Sequence, residues 1–361
     1  MEKIRLERIL IRMEENGIPQ MILSDPVAVF YLTGKWIFPG ERLMALYLNI
    51  NGNHKLVLNE LFPQEKDLGV DLVWYNDVQD GVEILSRFVE KNQVVGIDKN
   101  WPARFLLRLQ ELGGGSRFVN GSYMVDQVRM IKDEKEQELM RKSSQINDRV
   151  MEKLIPWVGT GMTEEELSEK TLELYKEAGC EGVSFPPITA YGKGAADPHH
   201  VTDSSRGAYG ECVVLDIGGM KDHYASDMTR TVFLGTVSER QREIYEIVLE
   251  ANLRGIAAAK PGNRMCDVDR ACREYIEEKG YGKYFTHRTG HSIGLEDHEA
   301  GDVSSVNETV IQPGQCFSVE PGIYLPEEHI GVRIEDLVLI TETGCEVLNS
   351  FPKDLMVIPV E

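Results

Sequence analysis

Residues 212–235 read CVVLDIGGMKDHYASDMTRTVFLG, and no other stretch restricts the fold of the chain so tightly. Runs rich in Val, Leu, Ile and Phe flank a polar centre, the pattern of two β-strands joined by a tight turn at Lys221-Asp222. A hairpin closed there sets Asp216 opposite Asp227 on one sheet face, with Cβ atoms about 4.5 to 5.5 Å apart, where like charges destabilise. A cation reverses that sign.

A second hairpin repeats the arrangement. FSVEPGIY and VRIEDLVLIT flank a turn centred on Glu327 and Glu328, which sets Glu320 opposite Glu335. Arg333 precedes Glu335 by two residues and shares its face, because side chains alternate along a strand. Between the hairpins lies HRTGHSIGLEDHE, with His287, His291 and His298. Gly290 and Gly294 argue against a helix there, and the spacing is not that of a helical zinc-protease motif. Two acid pairs on strands with a histidine cluster between them point to a four-carboxylate metal site. Such a set suits Mn²⁺, Co²⁺ or Fe²⁺ at least as well as Zn²⁺. Four acids can hold two divalent ions about 3.5 to 4 Å apart, a pairing that activates water and implies hydrolysis.

A length of 361 residues implies two domains, and 42% hydrophobic content supplies both cores. The net charge of −20 argues against a nucleic-acid or anionic-membrane partner, since both are attracted by basic patches. No apolar run is long enough to span a bilayer and no signal-peptide pattern is present, so the expectation is a soluble, cytoplasmic protein. The six cysteines are scattered without a CxxC pair and read as buried free thiols. No Gly-rich phosphate fingerprint supports nucleotide binding.

The first third alternates helix and strand signals, among them a hairpin through Asn51-Gly52-Asn53, and reads as a small α/β domain with no concentration of reactive residues. The strand pattern stops in residues 120–129, and the boundary is set between a domain of residues 1–124 and one of residues 125–361. In the second domain, Thr163 with Glu166 and Ser238 with Gln241 form capping boxes ahead of amphipathic helices. The fold class is α+β, with helices laid against an antiparallel sheet.

At these residues the chain resembles a known family. LDIGG…SDMTRT, HRTGHSIGLEDHE, SVEPGIY and GVRIEDLVLIT are similar to the successive motifs of the pita-bread metallopeptidases, in the branch of Xaa-Pro aminopeptidases and Xaa-Pro dipeptidases (prolidases). SDPVAVFYLTG resembles the start of the creatinase-like domain that precedes the catalytic domain in that branch. The resemblance implies a pita-bread catalytic domain behind a smaller creatinase-like domain. It makes Asp216, Asp227, His291, Glu320 and Glu335 the ligands of two divalent metals, Mn²⁺ or Co²⁺, with Zn²⁺ or Fe²⁺ as alternatives. Asp227 and Glu335 would bridge, and a hydroxide held between the metals would attack the carbonyl before proline, with Glu320 as proton carrier. His199 and His298 match histidines that steady the substrate and the tetrahedral intermediate, and His287 and Arg333 match further polar positions of the site.

The implied substrates are proline-containing dipeptides or short peptides, and the implied assembly is a homodimer in which the loop Trp36-Ile37-Phe38-Pro39-Gly40 is a candidate contact. Arg333 and Arg288 tilt the reading toward a dipeptidase, which needs a cation for the carboxylate after proline. The alternatives are an Xaa-Pro aminopeptidase acting on longer peptides, a metal-free creatinase-like hydrolase, and a non-catalytic pita-bread binding protein. Retention of all the acids disfavours the last two.

Overall fold

In the computed structural model, which describes residues 1–64, 67–198 and 200–360, the chain divides into two compact units, Met1–Arg129 and Met130–Glu361. The division falls a few residues after the 124/125 boundary read from the sequence, at the end of the helix Ser122–Met130.

The first unit is built on a mixed six-stranded sheet in the order Asp71–Tyr75, Lys55–Asn59, Met44–Asn49, Gln20–Leu23, Val94–Ile97, Arg117–Asn120. Met44–Asn49 and Lys55–Asn59 form the antiparallel hairpin expected around Gly52. The helix Pro26–Thr33 begins where Asp25 accepts from the Val27 N–H and ends at Gly34, whose φ of 68° is left-handed.

In the second unit the helices start where the sequence places caps. Thr163 with Glu166 and Ser238 with Gln241 form reciprocal capping boxes on the helices Glu164–Glu177 and Glu239–Ala258, as do Asp133 and Glu136 on Glu134–Val158. The helices Glu239–Ala258 and Met265–Glu278 bury Ile244, Val248, Val268 and Cys272 in one cluster with Phe317, Val319, Ile323 and Val332 of the sheets. Each fully buried aliphatic side chain there stabilises the fold by about 1.5 to 3 kcal/mol. Along the strand Cys212–Ile217 the two faces separate: Cys212 and Val214 join that cluster, while Val213, Leu215 and Ile217 join a second one with Ile146, Val150 and Leu167. Asp216 continues the row of Cys212 and Val214.

The first hairpin turns one residue later than the sequence reading placed it. Asp222 and His223 are both left-handed, with φ of 51° and 68°, and form a two-residue turn closed by the pair Lys221 and Tyr224. Such a turn matches strand twist only when both central residues have positive φ, and Asp and His tolerate that region better than Lys. Moving the turn by one residue moves every partner by two, so Asp216 pairs with Thr229 and not with Asp227. The face is unchanged, since Asp227 lies two residues before Thr229.

The second hairpin has the expected register. Val319 pairs with Asp336 and Gly322 with Arg333, leaving Glu320 across from Glu335 at a break between two strand segments. There the backbones part: the Glu320 N–H donates to the Thr289 carbonyl at 2.8 Å and the Glu335 N–H to the Thr229 carbonyl at 3.1 Å. Glu320 is thereby tied to the histidine segment and Glu335 to the first hairpin.

Arg230 locks this junction. Its buried guanidinium donates to Asp336 at 2.8 Å, to the Glu335 carbonyl at 2.6 Å and to the Phe351 carbonyl at 2.8 Å. Truncating it strands buried acceptors, so Arg230→Ala is expected to destabilise the protein by about 3 to 5 kcal/mol in denaturant unfolding. A loss under about 1 kcal/mol, the range of an ordinary surface substitution, would contradict this role.

Candidate metal centre

Six of the residues singled out in the sequence line one cavity of about 880 Å³: Asp216, Asp227, His291, His298, Glu320 and Glu335. Asp227, His291 and Glu335 each present a donor atom within 4.8 Å of the others, a spacing that could hold an ion. His291 Nε2 lies 3.4 Å from Asp227 Oδ2 and 3.6 Å from Glu320 Oε1.

Local packing explains why His291 stands there. The strand Gly290–Ser292 lies so close to Cys316–Val319 that a Cβ on Gly290 would meet the Ser318 carbonyl oxygen at 1.9 Å, so only glycine fits. The His291 N–H donates to Ser318 Oγ at 3.0 Å, and Ser318 Oγ donates to Glu320 Oε1 at 3.2 Å. Buried Asp269 accepts from Thr289 Oγ1 at 2.7 Å and pairs with Arg273, which also donates to the His287 carbonyl. The approach to His291 is therefore fixed on both sides.

A second layer of polar groups holds the acids. Thr229 Oγ1 donates to Glu335 Oε2 at 2.7 Å and accepts from Arg333 Nε at 3.1 Å. Arg333 also donates to Asp216 Oδ2 at 2.6 Å and to the Tyr324 hydroxyl at 2.9 Å, and His287 Nε2 lies 2.9 Å from that same hydroxyl. Burial works against the Arg333 charge, but Tyr324, Asp216 and Glu320 outweigh it and keep the guanidinium protonated. Arg333 and His287 thus reach the site through Asp216 and Tyr324 and do not line the cavity.

His298 does line it, with its ring edge-on to His291 at 4.1 Å between centroids. His199 lies outside the described residues. Thr229 and Tyr324, which the sequence reading passed over, are the hub of the network. So was Asp297, a further carboxylate of the cavity, whose donor atom lies within 4.8 Å of those of His291 and His298. Its place beside His298 in the quoted histidine stretch was the only available signal. Glu299 pins that loop, accepting from the Leu295 N–H at 2.9 Å and pairing with buried Lys132 at 2.9 Å.

The donor set fits divalent cations. Asp216 Oδ1, Asp227 Oδ1, Asp297 Oδ1 and Glu335 Oε1 are buried oxygens with no hydrogen-bond donor among the described residues, an arrangement native proteins rarely tolerate without a compensating charge. Burial, with repulsion from Glu335 and Asp297, holds the Asp227 carboxyl well above the usual carboxylate range. Burial, with Glu320 and Asp216, does the same to Glu335. Asp297 is pushed up to about 7 by burial and then by Asp216 and Glu320. Burial lowers His291 to about 4, leaving the neutral imidazole that a metal requires.

These shifts set a sign. A carboxyl whose pKa is raised on folding stabilises the fold while it keeps its proton, and that contribution is lost as pH rises through the folded pKa. His287 and His291, lowered by burial, act oppositely, but only below an ordinary histidine pKa of about 6.5. A chelated sample should therefore lose thermal stability as pH rises above about 7, and added Mn²⁺ should flatten the slope and release protons. A chelated protein whose stability does not fall there would contradict the assignment.

The N-terminal unit matches the creatinase/prolidase N-terminal domain over residues 5–131, and residues 138–342 match metallopeptidase family M24. The chain is 36% identical over 359 residues to the Xaa-Pro dipeptidase of Pyrococcus furiosus, covering 98% of this chain and 100% of that protein. Among solved structures it is similar to a dipeptidase from Pyrococcus horikoshii, with a TM-score of 0.92, 33% identity and coverage of 98% and 99% of the two chains. It is also similar to an X-Pro aminopeptidase from Thermotoga maritima, with a TM-score of 0.83, 30% identity and coverage of 96% and 100%. A creatinase-type N-terminal domain followed by this acid-and-histidine cavity, over nearly the full length of such relatives, makes the chain a member of metallopeptidase family M24.

Proposed function

We propose that the protein hydrolyses the bond between a residue Xaa and a following proline, as an Xaa-Pro dipeptidase. The observation that carries this reading is the convergence of four carboxylates and one neutral histidine with buried oxygens that lack a donor among the described residues. Asp216, Asp227, His291, Glu320 and Glu335 would hold two divalent ions, with Asp227 and Glu335 shared, and Mn²⁺ or Co²⁺ suits this oxygen-rich set. When bound, the ions acidify water and polarise the scissile carbonyl.

The remaining work belongs to the chain. Glu320, steadied by Ser318 Oγ, takes the proton from water and returns it to the departing prolyl nitrogen. His298 stands at the cavity wall where it can donate to the developing oxyanion, the role also proposed for His199. Arg333 and His287 are positioning residues, orienting Asp216 and Tyr324. Proline has no N–H to offer a ladder, so recognition rests on shape. The apolar side of Phe185, Pro186, Pro187 and Ile188 supplies a surface for its ring.

A second reading is an Xaa-Pro aminopeptidase. It is favoured by the absence of Lys and Arg among the described lining residues of the cavity, where a dipeptidase would bind the carboxylate after proline. Arg288 and Arg333, the basis for the dipeptidase tilt in the sequence, are not among them.

A homodimer is proposed on the exposed Phe38 of the aromatic loop, 71% accessible beside buried Ile37. A reducing, cytoplasmic setting suits six free thiols.

Chelation should abolish cleavage of Ala-Pro, and Mn²⁺ or Co²⁺ should restore it. Glu335→Ala should remain inactive after metal addition, and full turnover in a metal-free sample would refute the reading. A dipeptidase should lose most of its kcat/KM when the carboxylate of Ala-Pro is amidated, because a cation left without its partner costs about 2 to 5 kcal/mol. Equal or faster cleavage of Ala-Pro-Ala would select the aminopeptidase. Light scattering that gave a fully active monomer would exclude the dimer.

A further inference from the structure

Behind the metal-site cavity lies a second one of about 630 Å³, and His200 is the single described residue that lines both. The two differ in their cations. The first has no Lys or Arg among its described lining residues, whereas Lys193 and Arg206 line the second beside the acids Asp197, Asp203 and Glu211. Arg206 is committed to Glu166 at 3.3 Å, while Lys193 is exposed and has no ion-pair partner among the described residues.

His200 is held by Glu164, a carboxylate with no solvent exposure at the start of the helix Glu164–Glu177. His200 Nε2 lies 2.6 Å from Glu164 Oε2, which also accepts the Asp203 N–H at 3.0 Å, and Glu164 Oε1 accepts the Tyr191 N–H at 2.8 Å. Both oxygens are therefore occupied by backbone donors, which makes Glu164 an anchor and not a metal ligand even though Glu164, His200 and Asp203 lie close together. The short contact with a carboxylate that is itself held by two backbone N–H groups fixes the ring in one orientation. Packing leaves it little room: a Cβ on Gly194 would meet His200 Nε2 at 2.8 Å and Glu164 Oε1 at 3.1 Å.

We infer that His200, fixed by Glu164, is a wall that limits substrate length, and that the cavity beyond it can take peptide C-terminal to proline, with Lys193 receiving the terminal carboxylate. The inference rests on the Xaa-Pro peptidase reading and deepens it. With the wall in place a dipeptide fits and a longer chain meets the ring. With the wall removed the two cavities join, and a tripeptide gains both room and a cation.

The test measures kcat/KM for Ala-Pro and Ala-Pro-Ala in the metal-loaded full-length enzyme. His200→Ala should raise the Ala-Pro-Ala to Ala-Pro ratio by about tenfold or more, the scale on which a pocket wall discriminates, whatever happens to the absolute rates. Glu164→Gln should raise it in the same direction by loosening the ring, and adding Lys193→Glu to His200→Ala should reverse the gain. If Glu164→Gln does not fold, His200→Ala alone decides. An unchanged ratio in His200→Ala, or a gain indifferent to Lys193→Glu, overturns the inference while leaving the peptidase reading intact. A wild-type enzyme that cleaves neither peptide overturns both.

Discussion

Mutual repulsion of buried carboxylates is the constraint to which the catalytic unit is built. Asp216, Asp227, Asp297, Glu320 and Glu335 crowd one cavity wall, and Asp227 and Glu335 are almost wholly removed from water. Two unit charges about 4 Å apart repel by about 4 kcal/mol even at an effective dielectric of about 20. Several such pairs would exceed the net stability of an ordinary domain, about 5 to 15 kcal/mol. Arg333, the buried cation bonded to Asp216, offsets only part of this. Protons or divalent ions must offset the rest.

The scaffold keeps the acids from escaping. The break in the second hairpin frees short segments of backbone from their own ladder and stitches them to neighbours: Glu335 to Thr229, Glu320 to Thr289. Arg230 clamps the Glu335 carbonyl and Asp336 from below, while Thr229 Oγ1 couples Glu335 to Arg333 from above. Because Arg230 and Thr229 are adjacent on a strand, their side chains take opposite faces. One strand can therefore serve the core and the site at once.

Much of this was legible in the sequence. Strand alternation placed Asp216, Asp227, Glu320 and Glu335 on site-facing rows, and capping boxes located the helices that cover them. The partner of Asp216 was not legible, because whether the turn centres on Lys221-Asp222 or on Asp222-His223 depends on positive φ at two residues that no periodicity marks. The error was benign, since a shift of two leaves a side chain on its own face. Thr229 and Tyr324 escaped notice because a threonine and a tyrosine in apolar strands look like ordinary β-formers, and their hydroxyls acquire meaning only from Glu335, Arg333 and His287. Arg333 reads in the sequence as a substrate cation, and no periodicity marks that it is buried against Asp216. Asp297 was hidden because its loop has no period from which a facing direction can be read.

Titration of the chelated protein with Mn²⁺, followed by calorimetry and by native mass spectrometry, tests most directly whether these acids exist to hold ions. The account predicts two ions per chain, with Asp227→Asn losing tight binding of both if, as proposed, that carboxylate is shared. A protein that binds no ion, or an Asp227→Asn variant that binds two as tightly as the parent, would contradict it.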